Sequence, residues 1–251
     1  MDARPEAEPA AELRAGELVL RHRLSTRLWH WINAATLGVM LMSGLMIFNA
    51  HPRLYWGHYG ANPDHAWLTI GDADGIAFPG WITIPSYYSL ADARLWHLAF
   101  AWVLALGLLA YLVRSLLNGH VRRDLHITAA EWAPRHLLHD IAEHARLRFP
   151  TGAAALKYNV LQKLAYCGVL FGLLPLVIVT GLAMSPALDA GWPWLVDLLG
   201  GRQSARSVHF LAAAGLVLFF LVHLAMVLLA GPVNEVRSML SGWYRLPEDR
   251  A

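Results

Sequence analysis

The feature that most constrains this chain is a set of four apolar runs, each long enough to cross a lipid bilayer. The hydrocarbon core of a bilayer is about 30 Å thick, and an α-helix of about 20 residues spans it. Hydrophobic residues make up 57% of the sequence and charged residues 15%, against about 25% charged residues in soluble domains. The predicted fold is an all-α integral membrane protein, a four-transmembrane-helix bundle with spans at residues 28–48, 95–117, 160–184 and 207–230.

The distribution of basic residues predicts the orientation of these spans. Sixteen of the twenty Lys and Arg residues lie in the two tails and around the segment between the second and third runs. The remaining four share the other two loops with six aspartates. Because cytoplasmic loops are enriched in Lys and Arg, both termini are expected on the cytoplasmic side, N-in and C-in.

The segments outside the runs differ in character. Residues 1–20 form a tail, rich in Ala, Glu and Pro at its start, that is predicted to be disordered. The membrane domain is predicted at 21–244, followed by a short tail at 245–251. The outer loop 49–94 is rich in Trp, Tyr, Pro and Gly, which favours a folded cap. The inner segment 128–149 opens with the capping-box pattern Thr-Ala-Ala-Glu and is predicted to form an amphipathic helix on the cytoplasmic surface.

One cysteine and thirteen histidines narrow the chemistry. A single cysteine, Cys167, excludes an intrachain disulfide, a Cys-x-x-Cys-His haem attachment and a cysteine-ligated iron–sulfur cluster. A formal charge of +2 does not suggest a surface for nucleic acid. Three histidines of the outer loop, spaced by seven, fit no compact metal-binding motif. No catalytic side chain is predicted, and imidazole is the plentiful metal ligand.

Four histidines lie in or at the edges of the runs, where ionisable groups are costly and indicate function. His209 and His223 are fourteen residues apart on one helix, and fourteen steps of about 100° end only about 40° short of four full turns. Both rings therefore project from nearly one face, about 21 Å apart along the helix axis. Two haems at two depths of a membrane need this arrangement from a shared helix.

Depth in the predicted topology assigns a partner to each of these two histidines. His97 opens the second run at the outer side, level with His209, and His30 opens the first run at the inner side, level with His223. We therefore predict two b-type haems whose iron atoms have the axial ligands His97 and His209 (outer) and His30 and His223 (inner). Bis-imidazole ligation leaves no open position for oxygen and favours electron transfer. Taken singly, each of the three interfacial histidines could equally be a packing residue.

Small and basic residues near these levels support the two-haem hypothesis. Gly44 and Gly181 lie at the outer level, where a porphyrin between helices needs space, although small residues also serve helix packing. An arginine three residues before a predicted ligand is a candidate partner for a haem propionate, and three such residues are Arg27, Arg94 and Arg206. The positive-inside bias explains the first of these equally well.

Several motifs occur here in a recognisable order. They are Arg-Leu-Trp-His-Trp at 27–31, Arg-Leu-Trp-His at 94–97, Lys-Tyr-Asn-Val-Leu-Gln-Lys at 157–163, and His209 followed by His223. Together they resemble the bacterial cytochrome b561 and nickel-hydrogenase b-type cytochrome family, from about Arg21 to Tyr244. Within that family, segments 48–57 and 200–209 resemble the branch of thiosulfate reductase cytochrome b subunits.

The resemblance implies a multi-pass protein of the bacterial inner membrane that anchors a periplasmic oxidoreductase. Such a protein connects its partner to the quinone pool of a respiratory chain through two haems b, and for this branch the implied partner is a molybdopterin enzyme. In formate dehydrogenase subunits with a similar segment, the asparagine lies at a quinone site, which makes Asn159, Gln162 and Lys163 quinone candidates. Alternatively, they are interfacial polar residues, with the lysine snorkelling to the membrane surface.

Two other functions remain open at this point. A stand-alone quinone-linked oxidase, such as the superoxide-oxidising members of the same broad family, needs little outer surface, whereas loop 49–94 is long and aromatic. A histidine-dependent proton or metal transporter would be expected to have acidic partners within the runs, and the four runs contain no Asp or Glu.

Overall fold

In the residues that the structure describes, four helices are long and apolar enough to cross a membrane. The structure is a computed structural model, and it describes residues 16–61, 63–71, 76–146, 156 and 158–247. The predicted fold class, a helical protein with four membrane spans, is confirmed. The spans are α1 (Leu24–Asn49), α2 (Leu90–Leu117), the combined helix Val160–Ala183, which contains α4 and α5, and α8 (Arg202–Ala230).

Shorter elements precede, connect or follow the spans. In chain order these elements are β1 (Leu18–Leu20), β2 (Arg53–Leu54), β3 (Leu68–Thr69), α3 (Pro134–Ala145), α6 (Pro186–Gly191), α7 (Pro193–Leu198), α9 (Pro232–Ser241) and β4 (Trp243–Arg245).

Three of the four spans begin several residues before the apolar runs do. α2 begins at Leu90 because the Ser89 hydroxyl caps it, accepting a hydrogen bond from the Asp92 backbone N–H at 3.3 Å. The carboxylate of Asp92 lies in the first turn, where the helix dipole favours a negative charge. α8 follows Gly200 and Gly201, which have φ of 78° and 101°. These first turns contain polar residues, so hydropathy alone places the helix starts too late.

The third span is not a uniform α-helix. It consists of α4 (Val160–Cys167), a π-helical stretch at Gly168–Leu173 and α5 (Leu174–Ala183). Pro175, in the first turn of α5, has no N–H to donate, and its ring crowds the carbonyl one turn earlier. A wider turn directly before the proline relieves that crowding.

The interior of the bundle lies in the unit formed by residues 28–126 and 162–225. Much of the remaining helix surface is exposed leucine, valine and phenylalanine, as expected of helices that face lipid. The buried side chains at the centre come from α2, α5 and α8, and they are Leu104, Leu108, Leu174, Val177 and Ala212.

The described part of the outer loop, residues 49–94, is tied together by backbone and side-chain hydrogen bonds. β2 pairs with β3, and a 3₁₀ turn follows at Gly80–Ile82. The Asn49 side chain joins the end of α1 to this region: its Nδ2 donates to the Phe78 carbonyl at 2.8 Å, and its Oδ1 accepts from the Ala77 and Phe78 N–H groups. The strand pairing and the Asn49 bonds therefore tie the described part of the loop to itself and to the end of α1.

The same loop is attached to the first turns of α8. The Gly57 N–H donates to the Ser204 hydroxyl at 2.7 Å, and the Ser207 hydroxyl donates to the Tyr55 carbonyl at 2.6 Å. The Trp67 indole N–H in turn donates to the Ser207 hydroxyl at 2.9 Å. These bonds bring the loop onto the helix that carries His209, two residues after Ser207.

The other unit comprises the described residues of 1–27, 127–161 and 226–251. The sequence predicted a disordered tail through residue 20 and a domain ending at 244; in the structure β1 lies within that tail, and β4 extends one residue past the predicted domain end. β1 and β4 pair antiparallel from Leu18 opposite Arg245 to Leu20 opposite Trp243. Three-residue strands are too short for a periodic pattern to reveal them. Residues 1–15, the rest of the predicted disordered tail, lie outside the described residues.

Side chains reinforce this strand pairing. Arg21 forms an ion pair with Glu235 of α9 at 3.1 Å, and its guanidinium lies 4.4 Å from the ring centre of Tyr244. Tyr244 and Leu246 are buried against Val19. The chain before α1 is therefore packed against the chain after α9.

The inner segment 128–149 forms a helix, but the helix starts later than the capping-box pattern. Thr128 and Glu131 make the expected reciprocal bonds, with the Thr128 N–H donating to Glu131 Oε2 at 2.8 Å. They close a turn, however, and α3 begins at Pro134, whose fixed φ favours the first helical position. Residues 147–149 of the predicted segment lie outside the described residues.

Candidate functional site

The four histidines singled out from the sequence lie in two facing pairs. The ring centres of His97 in α2 and His209 in α8 are 6.2 Å apart, with ring planes at 60°. The ring centres of His30 in α1 and His223 in α8 are also 6.2 Å apart, with ring planes at 56°. The structure thus brings together the same two pairs that depth in the predicted topology matched.

This spacing fits a metal held between two imidazoles. Imidazole nitrogen binds metals at about 2 Å and the ring centre lies about 1 Å beyond it, so two axial imidazoles put their ring centres roughly 6 Å apart. Among the described residues, no group of three or more His, Cys, Asp or Glu side chains could hold a metal ion. Each pair supplies two ligands, which is the number that a haem iron takes from a protein with bis-imidazole ligation.

Two hydroxyl groups, for which the sequence predicted no role, contact the rings of one histidine pair. Ser43 Oγ of α1 is 3.1 Å from His97 Nδ1, and Thr180 Oγ1 of α5 is 3.0 Å from His209 Nδ1. Both hydroxyl side chains are fully buried. In the sequence, each of these hydroxyl residues directly precedes a glycine predicted to lie at the outer haem level, Gly44 or Gly181.

Those glycines lie against the histidine rings. A Cβ atom added at Gly44 would be 3.4 Å from His97 Cε1, and a Cβ atom added at Gly181 would be 3.4 Å from His209 Cε1. Each glycine therefore lets a neighbouring helix approach a ring closely. Both positions were predicted to face the level of the outer haem, and in the structure they border the predicted axial ligands of that haem.

Aromatic side chains surround the His30–His223 pair. The His223 ring stacks on Phe219 at 5.9 Å between centres, and the His30 ring meets the edge of Trp31 at 5.0 Å. Within the part of the chain that the structure describes, His30 Nδ1 is buried and has no hydrogen-bond partner. His30 Nδ1 therefore differs from the ring nitrogens of the other pair, both of which contact a hydroxyl group.

The three arginines proposed for haem propionates differ in their surroundings. Arg206 is half-buried, and its guanidinium donates to the carbonyl groups of His51 and Arg53 in the outer loop, the latter at 3.0 Å. Burial and the positive charges of Arg206 and Arg53 lower the pKa of the His51 imidazole. Arg94 is exposed, and Arg27 donates to the carbonyl of Leu240.

The quinone candidates lie at the start of the third span. Lys163 Nζ donates to the carbonyl of His126 at 3.1 Å, so it joins α4 to the end of the segment that follows α2. Gln162 belongs to the same unit as this contact, whereas Asn159 belongs to the other unit. This contact with a backbone carbonyl also agrees with the alternative, in which Lys163 is an interfacial polar residue without a role in quinone binding.

Four membrane-spanning helices and two facing imidazole pairs define a class of protein: a multi-span membrane protein whose histidine pairs have the spacing of bis-histidine iron ligands. The chain belongs to the prokaryotic cytochrome b561 family, whose model matches residues 21–242. It is therefore a membrane cytochrome of the b type, a haem-binding protein of electron transport. This part of the interpretation made from the sequence motifs is confirmed.

Individual relatives agree with this assignment. The chain is 27% identical over 213 residues to the putative protein-methionine-sulfoxide reductase subunit YedZ1 of Azospira oryzae, covering 85% of this chain and 92% of that protein. It is 28% identical to the putative cytochrome YdhU of Escherichia coli, covering 92% and 76%. It is 24% identical to a probable Ni/Fe-hydrogenase B-type cytochrome subunit of Azotobacter vinelandii, covering 95% and 93%. No solved structure matches the chain.

Proposed function

We propose that this chain is a di-haem cytochrome b that transfers electrons between the quinone pool and a periplasmic oxidoreductase, which it also anchors. The observation that carries the proposal is the presence of two histidine pairs with the same ring spacing of 6.2 Å. His97 and His209 would hold one haem b, and His30 and His223 the other. The haems supply reversible one-electron chemistry, while the protein supplies ligands, position and a low dielectric.

The surroundings of the ligands favour electron transfer over oxygen chemistry. Each histidine pair would supply both protein ligands of one haem iron, which would leave no position open for oxygen. The rings of His97 and His209 are fastened through hydrogen bonds to buried hydroxyls, so ligand exchange would require the helices to move. A ligand set that stays in place in both oxidation states keeps the reorganisation on electron transfer small.

The outer loop is the proposed docking surface for the partner. The excess of Lys and Arg on the other side supports a periplasmic location for this loop in the inner membrane, with both termini cytoplasmic. Several of its aromatic side chains are exposed, among them Tyr59 at 89% and Trp81 at 81%, and aromatic residues are enriched at protein interfaces. Two of the relatives are named as subunits, which supports a partner protein. That the partner is a molybdopterin enzyme follows from the resemblance of segments 48–57 and 200–209.

Asn159, Gln162 and Lys163 are proposed to bind the quinone headgroup near the cytoplasmic surface. Amide and ammonium groups can donate hydrogen bonds to quinone oxygens. Support for this site comes from the resemblance of segment 157–163 and from the position of these residues at the start of a span.

One experiment on native membranes tests the function. The tagged chain, purified gently, is expected to carry two b haems, to be reduced by a quinol analogue, and to copurify with one soluble redox protein in a fixed ratio. Haem per chain, the reduced visible spectrum and the protein bands are measured together. Two haems without any partner would favour the stand-alone quinone-linked oxidase. Absence of a b-type spectrum would favour a transporter.

Replacing Gly44 or Gly181 by alanine should reduce haem binding, although the added Cβ atom would not clash with any protein atom. The added Cβ atoms would lie 3.4 Å from the histidine rings, which is ordinary van der Waals contact. We expect Gly44→Ala and Gly181→Ala to lose part of one haem, because a porphyrin would also occupy this space. The control is Gly38→Ala, a helical position of α1 where an added Cβ meets nothing within 4 Å. Full haem content in both variants would show that the glycines serve only helix packing.

A further inference from the structure

Two buried hydroxyl groups touch the histidine rings at equivalent places in the two halves of the bundle. Ser43 Oγ lies 3.1 Å from His97 Nδ1, and Thr180 Oγ1 lies 3.0 Å from His209 Nδ1. Both hydroxyl residues have an exposed fraction of 0%. In each case the hydroxyl belongs to the span that precedes the histidine's own span in the sequence.

The direction of these hydrogen bonds follows from where the hydroxyl hydrogen goes. Ser43 Oγ donates to the Val39 carbonyl one turn earlier at 2.7 Å, and Thr180 Oγ1 donates to the Leu176 carbonyl at 2.7 Å. A hydroxyl has one hydrogen, so towards the ring each oxygen acts as an acceptor. The ring nitrogen Nδ1 must then carry the proton and donate it. This tautomer leaves the lone pair on Nε2, where an axial metal ligand needs it.

The backbone repeats the same pattern around both rings. The carbonyl groups of Met40 and Val177, three residues before the respective hydroxyl, each lie 3.2 Å from that hydroxyl oxygen. Gly44 and Gly181, directly after the hydroxyl, allow the close approach. Near each ring, the neighbouring span therefore places a carbonyl, a hydroxyl and a glycine at the same sequence spacing.

The His30 ring differs from this arrangement. His30 Nδ1 is buried without a hydrogen-bond partner among the described residues. A hydrogen bond accepted from Nδ1–H makes an imidazole a more basic ligand, and such bonds around metal-binding histidines tune the metal. A more basic ligand stabilises the oxidised iron and so lowers the reduction potential.

From this difference we infer that Ser43 and Thr180 are positioning residues that fix the tautomer of His97 and His209 and lower the reduction potential of the haem they hold. The inference rests on the proposed function, because it requires these two histidines to be axial ligands. The two haems then receive different ligand fields from the protein. The hydroxyl groups of Ser43 and Thr180 lower the reduction potential of the haem at the His97–His209 site.

Redox titration of purified variants tests the inference. Thr180→Val keeps the side-chain volume but removes the hydroxyl that accepts from His209, and Ser43→Ala removes the hydroxyl that accepts from His97. Each variant should retain two haems, and the reduction potential of one haem should rise. The rise should be larger in the double variant. Thr180→Ser and Ser43→Thr keep a hydroxyl and should restore the original potential. Thr36→Val, at another buried hydroxyl position of α1, is the matched control and should leave both potentials unchanged.

Failure of the hydroxyl role and failure of the proposed di-haem function give different results. An unchanged potential in a double variant that still holds two haems would overturn the inference alone. Loss of one haem in Thr180→Val with retention in Thr180→Ser would support it, whereas equal loss in both would overturn it and indicate a packing role. A parent protein that binds fewer than two haems would contradict the proposed function itself. An altered low-temperature EPR signal of one ferric haem, absent from the Thr36→Val control, is expected alongside the shift.

Discussion

Replacing His209 by alanine should leave a protein that binds one b haem per chain in place of two. The remaining ligand of that site, His97, lies on another helix and would hold the iron on one side only. The His30–His223 pair is untouched by the change, because its rings contact each other and aromatic neighbours. Haem content per chain should therefore fall to about half, and one component of the redox titration should disappear. Electron transfer from quinol to an external acceptor should be lost.

Double variants test the pairing as well as the ligands. His97→Ala with His209→Ala should lose no more haem than either single change, since both residues would belong to one site. His209→Ala with His223→Ala should lose both haems, since those residues would belong to different sites. This non-additivity is the signature of residues that act as a unit. His65→Ala, at an exposed histidine of the outer loop, is the control and should keep both haems. Complete haem loss from the first double variant would contradict the pairing.

The sequence predicts the spans and the histidine pairs because both depend on local geometry. Hydropathy locates a span through its apolar length, and the helical repeat puts His209 and His223 on one face of α8. Alternating span direction then sets the depth of His30 and His97. In the structure the ring centres of both pairs are 6.2 Å apart, in the combination that depth indicated.

The hydroxyl partners could not be predicted in this way. A serine or threonine in a helix commonly bonds to its own backbone, as Ser43 and Thr180 also do. Their additional contact with a ring depends on how two neighbouring helices are rotated about their axes. Rotation is set by side-chain packing across the bundle, and one sequence does not contain a direct signal for it.

The pairing of β1 with β4 escaped prediction for another reason. The two strands are three residues each, and Leu18 pairs with Arg245 near the opposite end of the chain. A contact between residues so far apart in the sequence leaves no local pattern. The stabilising contacts, such as Arg21 with Glu235, are also visible only once the strands are placed side by side.

Replacing Arg206 by alanine should release the start of the outer loop. The guanidinium donates to the carbonyl groups of His51 and Arg53 and lies 5.7 Å from the ring centre of Phe48. A hydrogen bond to a charged group contributes about 1.5–3 kcal/mol, so losing the guanidinium should raise the open population of this segment on the order of tenfold or more. Trypsin cleavage after Arg53 reports the opening, because the next residue, Leu54, has an exposed fraction of 0%. Cleavage of the detergent-solubilised variant should be correspondingly faster.

A lysine at the same position separates the two roles proposed for this arginine. Lys has one nitrogen in place of the planar fork, so Arg206→Lys keeps the positive charge but should not hold both carbonyls. Faster cleavage in this variant with full haem content would assign the fork to the loop and the charge to the haem propionate. Haem loss in Arg206→Ala but not in Arg206→Lys would agree with that division. Arg94→Ala removes an exposed arginine from the same end of the bundle and should leave the rate of cleavage after Arg53 unchanged. If cleavage after Arg53 is as slow in Arg206→Ala as in the parent, the other bonds of the loop, including those to Ser204 and Ser207, suffice to hold it.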